Sequence, residues 1–238
     1  MRNILPFCLL ILLGSCTKDA GNTTGMRLKS VTIDGKTYER FSYDAKGRLE
    51  NFDLFGHCTV SPMDEEKYSY DGDRLVKTLA ISRSIYSSST ASCDPAGGLR
   101  TEKTYTYNSA GKIEKINLPN SSVQFYYNNA GLVERQVIDN NPAYTYRYEY
   151  DARGNLVTYT DNQGGVTTYE YDSKKNPYYL VKLHPSIITA FNASPNNVVR
   201  GMGSGVVFFT RQFTYNSQDL PATVVESNIA SVYTYNYK

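Results

Sequence analysis

Few residues of this chain have the type and spacing that chemistry needs. His57 and His184 are the two histidines, and neither is flanked by a serine or acid motif that would make it a general base. Gly203-Ser204-Gly205 lacks the Gly-x-Ser-x-Gly spacing of a nucleophile elbow and reads as a hairpin loop. Glu65 and Glu66 begin a strand and alternate across it, so they form no carboxylate pair for glycoside hydrolysis. Asp44, Asp71, Asp151 and Asp172 fall one per turn, too sparse for the ~6–8 oxygen ligands of calcium. They suit Asx turns better. His57, Cys58 and Cys93 are metal-ligand types, yet no Cys-x-x-Cys spacing or second nearby histidine accompanies them. The expectation is no catalytic residue, no metal site and no cofactor.

What the chain holds in quantity is tyrosine: 22, with no tryptophan. Tyrosine offers an apolar ring face and a hydroxyl, so a concave tyrosine wall can hold sugar rings or peptide by stacking. Tyr144, Tyr146, Tyr148, Tyr150 and Tyr169 are the candidate binding rings, with Phe208 added for a reason given below. Twenty-five basic residues against 23 acidic ones leave no basic face that would suggest nucleic acid.

The elements that must position these rings are written in a recurring phrase: aromatic, any residue, Tyr or Phe, Asp or Asn, two small or polar residues, Gly, a polar residue, an aliphatic. It appears as Phe41 to Leu49, Tyr105 to Ile113, Phe125 to Val133 and Tyr148 to Leu156. Its second aromatic serves as an anchor, at Tyr43, Tyr70, Tyr107, Tyr127, Tyr150, Tyr171, Phe191 and Tyr215, with Tyr235 closing the chain. Most anchors are 20 to 24 residues apart; the first two gaps are 27 and 37. A fixed phrase at such a period means a repeated supersecondary unit.

Each unit carries one turn after its anchor and another midway, and hence two antiparallel strands. Between turns the pattern alternates: Tyr144, Tyr146, Tyr148 and Tyr150 fall on one face, Thr145, Arg147 and Glu149 on the other. Period two over this length means an all-β sheet with one sheltered and one wet face. Two strands before the first anchor and two per unit predict about 18 strands in one up-and-down meander. A sheet that wide curls toward its tyrosine face into a wide barrel, an open barrel or a spiral.

Residues 172–210 break the pattern. They lose the turn glycine, gain Pro177, Pro185 and Pro195, and place Val206 and Phe208 on the normally polar face. Local violations of a consistent pattern mark function or a special contact. This segment is expected to carry a partner surface or to cover an opening in the sheet. The Ser-rich loop from Arg83 to Ser92 is a second candidate.

At the N-terminus, Arg2 precedes a short apolar run, Ile4 to Leu13, which fits a signal-peptide h-region and is too short to span a bilayer. It ends in Leu13-Gly14-Ser15-Cys16, which resembles the lipobox of bacterial lipoproteins. That resemblance implies cleavage after residue 15, lipidation of Cys16, and a small, polar tether over 16–26. Lys18-Asp19 is similar to a fragment of the export signal of Bacteroidetes surface lipoproteins. With Cys8 removed and Cys16 acylated, Cys58 and Cys93 remain as one pair in an oxidising compartment, where a disulfide is expected.

Tyr150-Asp151-Ala152-Arg153-Gly154-Asn155-Leu156 through Thr167-Thr168-Tyr169-Glu170-Tyr171-Asp172 resembles a YD repeat of Rhs and teneurin proteins, whose hairpins wind into a hollow β shell. The anchors at 43, 107 and 127 match well; those at 171, 191 and 215 lack the glycine. A lipobox followed by degenerate YD units is similar to Bacteroidetes lipoproteins with a porin-like fold. The resemblance implies one repeat domain over 27–238, held to the outer membrane by lipid, on the periplasmic face or the cell surface. It implies binding of glycan, peptide or an envelope protein over catalysis. A hydrolase with an unrecognised site and a membrane-spanning barrel are the alternatives. Strands of about seven residues would span near 23 Å, against the ~9–11 residues of a membrane-spanning strand.

Overall fold

Asp44 sets the turn after the first anchor, Tyr43. In the computed structural model, which describes residues 26–56, 61–83, 97–181 and 188–238, its carboxylate accepts the backbone N–H groups of Lys46 and Arg48, each at 2.9 Å. Gly47 completes the turn at φ +77°, a conformation that penalises any side chain with a Cβ. The same pair of bonds recurs at Asn108, Asp151 and Asn216. At the last of these the glycine's place is held by Asp219, at φ +61°.

These turns link strands whose residues alternate inward and outward. In chain order the first are β1 (Leu28–Ile33), β2 (Lys36–Tyr43), β3 (Leu49–Leu54) and β4 (Asp64–Asp71). Next come β5 (Arg74–Ser82), β6 (Leu99–Tyr107), β7 (Ile113–Leu118) and β8 (Ser121–Tyr127). They are followed by β9 (Val133–Ile138), β10 (Thr145–Tyr150), β11 (Leu156–Thr160) and β12 (Val166–Lys175). The last are β13 (Asn196–Gly203), β14 (Val206–Tyr215), β15 (Pro221–Glu226) and β16 (Ile229–Tyr237). Each pairs antiparallel with its neighbours in sequence, and β1 closes on β16 with Val31 opposite Tyr235. The result is a closed up-and-down barrel, which leaves no sheet edge open for pairing with another chain.

Neighbouring repeats are locked together by the anchor tyrosines. The hydroxyl of Tyr43 donates to the Leu28 carbonyl, Tyr70 to Leu49, Tyr107 to Leu75, Tyr127 to Ile113, and Tyr150 to Val133. Tyr171 likewise donates to Leu156. From Tyr70 onward the acceptor is the aliphatic residue after the preceding turn, so one repeat's tyrosine bonds the previous repeat's final phrase residue; Leu28 takes that place for Tyr43. The residue just before that aliphatic is often a cation, and it lies over the same ring: Arg27 over Tyr43, Arg48 over Tyr70, Arg74 over Tyr107, Lys112 over Tyr127. The ring is thus held by a cation on its face and by a carbonyl at its hydroxyl.

Among the described residues the barrel has sixteen strands rather than about 18. The difference lies in one repeat. Phe191, read as an anchor, sits in a one-turn helix, and residues 176–195 supply two short helices, α1 (Pro177–Val181) and α2 (Ala190–Ala193), instead of a strand pair. The excursion is clasped at its base, where the Asn176 N–H donates to the Pro195 carbonyl at 2.9 Å. Asn176 also caps α1 by accepting from the Tyr178 N–H, and its amide donates to the Phe191 and Ser194 carbonyls. At the end of the chain it is Tyr237, not Tyr235, that donates to the Pro221 carbonyl in the anchor's manner, at 2.8 Å.

The excursion packs inside the barrel. Val181 joins the core cluster of Leu28, Val31, Phe41, Leu75 and Ile116, while Ala190 joins a second cluster with Tyr148, Leu156 and Val198. Ile188 packs against both. Ser194, fully buried, replaces a strand partner: its hydroxyl oxygen accepts the Leu156 N–H at 3.0 Å while its O–H donates to the Tyr171 hydroxyl at 2.9 Å. The segment that departs from the repeat therefore fills part of the barrel interior, through Val181, Ile188 and Ala190.

Candidate functional site in the barrel lumen

Beside the two helices lies a cavity of about 310 Å³. Its walls are Tyr38 and Glu39 of β2, Arg211 of β14, Val224 and Glu226 of β15, and Tyr233 and Tyr235 of β16; the helical segment contributes Tyr178, Thr189, Phe191 and Asn192.

Two local features aim these groups inward. On β2, Val31 pairs with Glu39 but Thr32 pairs with Thr37, so Tyr38 is the extra residue of a bulge. Bulges re-aim side chains, and here Tyr38 and Glu39 both line the cavity. On β14 and β15, Arg211 and Glu226 stand directly opposite each other, and the Arg211 Nε–H donates to Glu226 Oε2 at 2.7 Å. The Arg211 guanidinium also lies over the Phe191 ring at 4.4 Å and near the Phe209 ring at 5.1 Å.

Glu39 is the most perturbed acid of the site. Burial pushes its carboxyl up, and a hydrogen bond from Tyr178 and the charge of Arg211 offset this only in part, leaving it at about 7. The Tyr178 hydroxyl donates to it at 2.5 Å. Tyr38 and Tyr233 meet edge to face with centroids 6.0 Å apart, and burial pushes both hydroxyls up. Among the described residues those two hydroxyls have no hydrogen-bond partner, and neither do the two η nitrogens of Arg211. The site is therefore rich in free donors, backed by aromatic faces and accompanied by two carboxyl side chains.

The expected binding rings fall into three groups. Tyr148 and Tyr150 are bound into the wall, the first donating to Gln136 Oε1 at 2.5 Å and the second to Val133. Tyr146 stacks on Tyr159 with an interplanar angle of 6°, and Tyr169 packs near them. Tyr144 sits outside β10 in a 3-10 turn, Pro142–Tyr144, and is 47% exposed. Phe208 is 48% exposed. It is the extra residue of a bulge, since Met202 pairs with Val207 and Gly201 with Phe209. Cys16, Cys58, Cys93, His57, His184 and residues 84–92 of the Ser-rich loop lie outside the described residues. The strands flanking 57–60 and 84–96 are in register, with Leu54 opposite Asp64, Asp64 opposite Ser82, and Ser82 opposite Leu99. Both connections thus leave the same rim.

Sequence reading missed Glu39, Arg211 and Glu226, although a signal was present. Glu39 lies four residues before the anchor Tyr43, and Arg211 four before Tyr215. In a strand that spacing puts both on the anchor's lumenal face. Glu66 and Lys103 stand at the same offset from Tyr70 and Tyr107, and they pair with each other at 2.7 Å, with the Tyr68 hydroxyl donating to Glu66.

Among curated proteins no relative is found. The family model described as RHS Repeat matches residues 150–177. Among solved structures, the chain is similar to the Tc holotoxin pore of Photorhabdus luminescens, at 16% identity and a TM-score of 0.21, covering 79% of this chain and 9% of that one. It is also similar to a TcdB2-TccC3-Cdc42 structure, at 14% identity and a TM-score of 0.22, covering 85% of this chain and 10% of that one. The chain thus spans about a tenth of the length of these structures. Residues 150–177 contain the Tyr150 and Tyr171 anchors, the Asp151 turn and the start of α1, and with them the chain is a β scaffold that carries an RHS-type, YD repeat.

Proposed function

We propose that this protein is a lipid-anchored scaffold of the outer membrane whose barrel lumen binds the end of a glycan without turning it over. The observation that carries the reading is the lining of the cavity: the tyrosine rings of Tyr38, Tyr233 and Tyr235 beside Arg211, Glu39 and Glu226. Aromatic faces suit the C–H face of a sugar, and side-chain donors and acceptors suit its hydroxyls.

The barrel's geometry sets how such an anchor would orient the cavity. Arg27, near the start of the described chain, exchanges backbone hydrogen bonds with Lys238, at the rim that carries the Asx turns. Tyr233 pairs with Ile33, next to the Asp34–Gly35 turn of the opposite rim. A lipid on Cys16 would hold the turn rim toward the membrane and leave the cavity's tyrosines on the far side. Ion pairs on the outward face, Lys77 with Glu102 and Arg200 with Glu170, favour a barrel in water over one in lipid, where charges on the outer band are destabilising. The disulfide between Cys58 and Cys93 belongs to the same reading, and two free thiols in the mature protein under non-reducing conditions would remove it.

A glycan array probed with the purified full chain and with Tyr233→Ala tests the lumenal site. Binding by the parent that is lost in the variant supports it. A flat array, or binding indifferent to Tyr233→Ala, rejects it, and turnover of a bound glycan would make the protein an enzyme. Incorporation of a tagged fatty acid that disappears in Cys16→Ala tests the anchor.

A further inference from the structure

We propose that the cavity selects a carboxylate-bearing sugar ring of the uronic-acid class, its carboxylate held by the two η nitrogens of Arg211. The proposal rests on the lumenal reading above and names the chemistry of its ligand.

Arginine carries five N–H donors in a planar fork. Here one of them, on Nε, goes to Glu226. The guanidinium cannot swing freely, because Glu226 holds one edge and the Phe191 and Phe209 rings lie against its face. The η nitrogens therefore border the cavity without a partner among the described residues, in the geometry that a carboxylate matches bidentately. A phosphate fits less well: it carries more charge, Arg211 is the one cation lining the cavity among the described residues, and Glu39 and Glu226 line it too.

The rest of the lining calls for a ring with hydroxyls. Tyr38 and Tyr233 meet at 83°, giving a corner in which one ring can face the ligand's C–H surface while both hydroxyls remain free to bond it. Thr189 and Asn192 bring further polar groups from the helical segment. Asn192 already uses its carbonyl oxygen to accept the Thr189 N–H at 3.1 Å, which leaves its NH₂ as a donor. A cavity of about 310 Å³ is at the small end of ligand sites and suits one ring rather than a longer chain segment.

Calorimetry on the full chain in detergent, with D-glucuronate, D-glucose and acetate, tests this. Glucuronate is expected to bind at least about tenfold more tightly than either of the others, as a bidentate ion pair adds to ring stacking. Arg211→Gln is expected to bring glucuronate down to the affinity of glucose while leaving glucose unchanged. Because Arg211 also packs on Phe191, a second variant acts in the opposite sense. Glu226→Gln removes a like charge and should tighten glucuronate severalfold with no effect on glucose. Equal affinities for glucuronate and glucose, or a preference that survives Arg211→Gln, would overturn acid recognition and leave lumenal sugar binding standing. Acetate binding as tightly as glucuronate would overturn the role of the ring. Failure of both sugars to bind, together with a flat array, would remove the lumenal reading itself.

Discussion

The Tyr178 hydroxyl donates to the Glu39 carboxylate at 2.5 Å, joining the inserted helix to the barrel wall across 139 residues of sequence. This contact seats the helical segment against β2, and the Tyr178 ring packs on Phe41 and Tyr235. It also makes the segment's seating sensitive to proton concentration.

Glu39 is faced by Tyr178 from α1, by Arg211 from β14, by Glu226 from β15, and by Tyr233 and Tyr235 from β16. Its folded-state carboxyl is raised from the ordinary value to about 7. A raised acid binds its proton more tightly in the folded chain, so stability falls with rising pH between the two values. The penalty is absent below about pH 4.5, grows through neutrality, and is complete above about pH 7, where it reaches roughly 3 kcal/mol. Thermal melting followed by circular dichroism between pH 5 and pH 8 should show this decline. In Glu39→Gln the decline should flatten.

The anchor ladder predicts small, repeated losses. Tyr107→Phe removes the hydroxyl that donates to Leu75 at 2.7 Å, and should cost about 1 kcal/mol. Tyr43→Phe and Tyr127→Phe should behave alike, and the distant pair of them should add. Urea midpoints that shift with unchanged slope are the readout. Tyr215→Phe stands apart: its hydroxyl donates to the Asp172 carboxylate in place of a backbone carbonyl, and Asp172 keeps its bonds from Asn197.

A methyl group at Gly201 would meet the Phe209 ring at 2.5 Å. Phe209 in turn packs on Phe191, with centroids 5.7 Å apart. Gly201→Ala should therefore destabilise the protein by about 1–3 kcal/mol through overpacking. Shortening the neighbour in Gly201→Ala/Phe209→Leu should recover part of the loss in the same denaturation assay.

Ser194→Ala would leave the Leu156 N–H without its partner in a fully buried place. An unsatisfied buried donor costs about 1–3 kcal/mol. Hydrogen exchange at the Leu156 amide should accelerate more than exchange at Ile113, which begins a strand in a repeat without an insertion.

The repeat phrase determined much by itself. Asp or Asn followed by Gly dictates a local turn, because the bonds of Asp44 or Asn108 to backbone N–H groups span no more than four residues. Alternation then assigns a face to every strand residue, and a long meander of such strands must curl. The barrel class, the Asx turns and the inward tyrosines all follow from contacts of short sequence range. The same parity placed Glu39 and Arg211 inside, though a charge on a tyrosine face is easily passed over when the phrase is read for its aromatics.

Tertiary structure alone decided the rest. Helices α1 and α2 are one turn each, too short for any periodicity to announce them; Asn176 clasps the segment to itself, and Ser194 ties it to Leu156 and Tyr171 of the barrel wall. Phe191 resembles an anchor in spacing, but no strand remained for it to join. The cavity depends on β1 meeting β16, on a bulge at Tyr38, and on Tyr178 reaching Glu39. The first and last of these join residues far apart in the chain, and no pattern of neighbouring residues encodes such a distance.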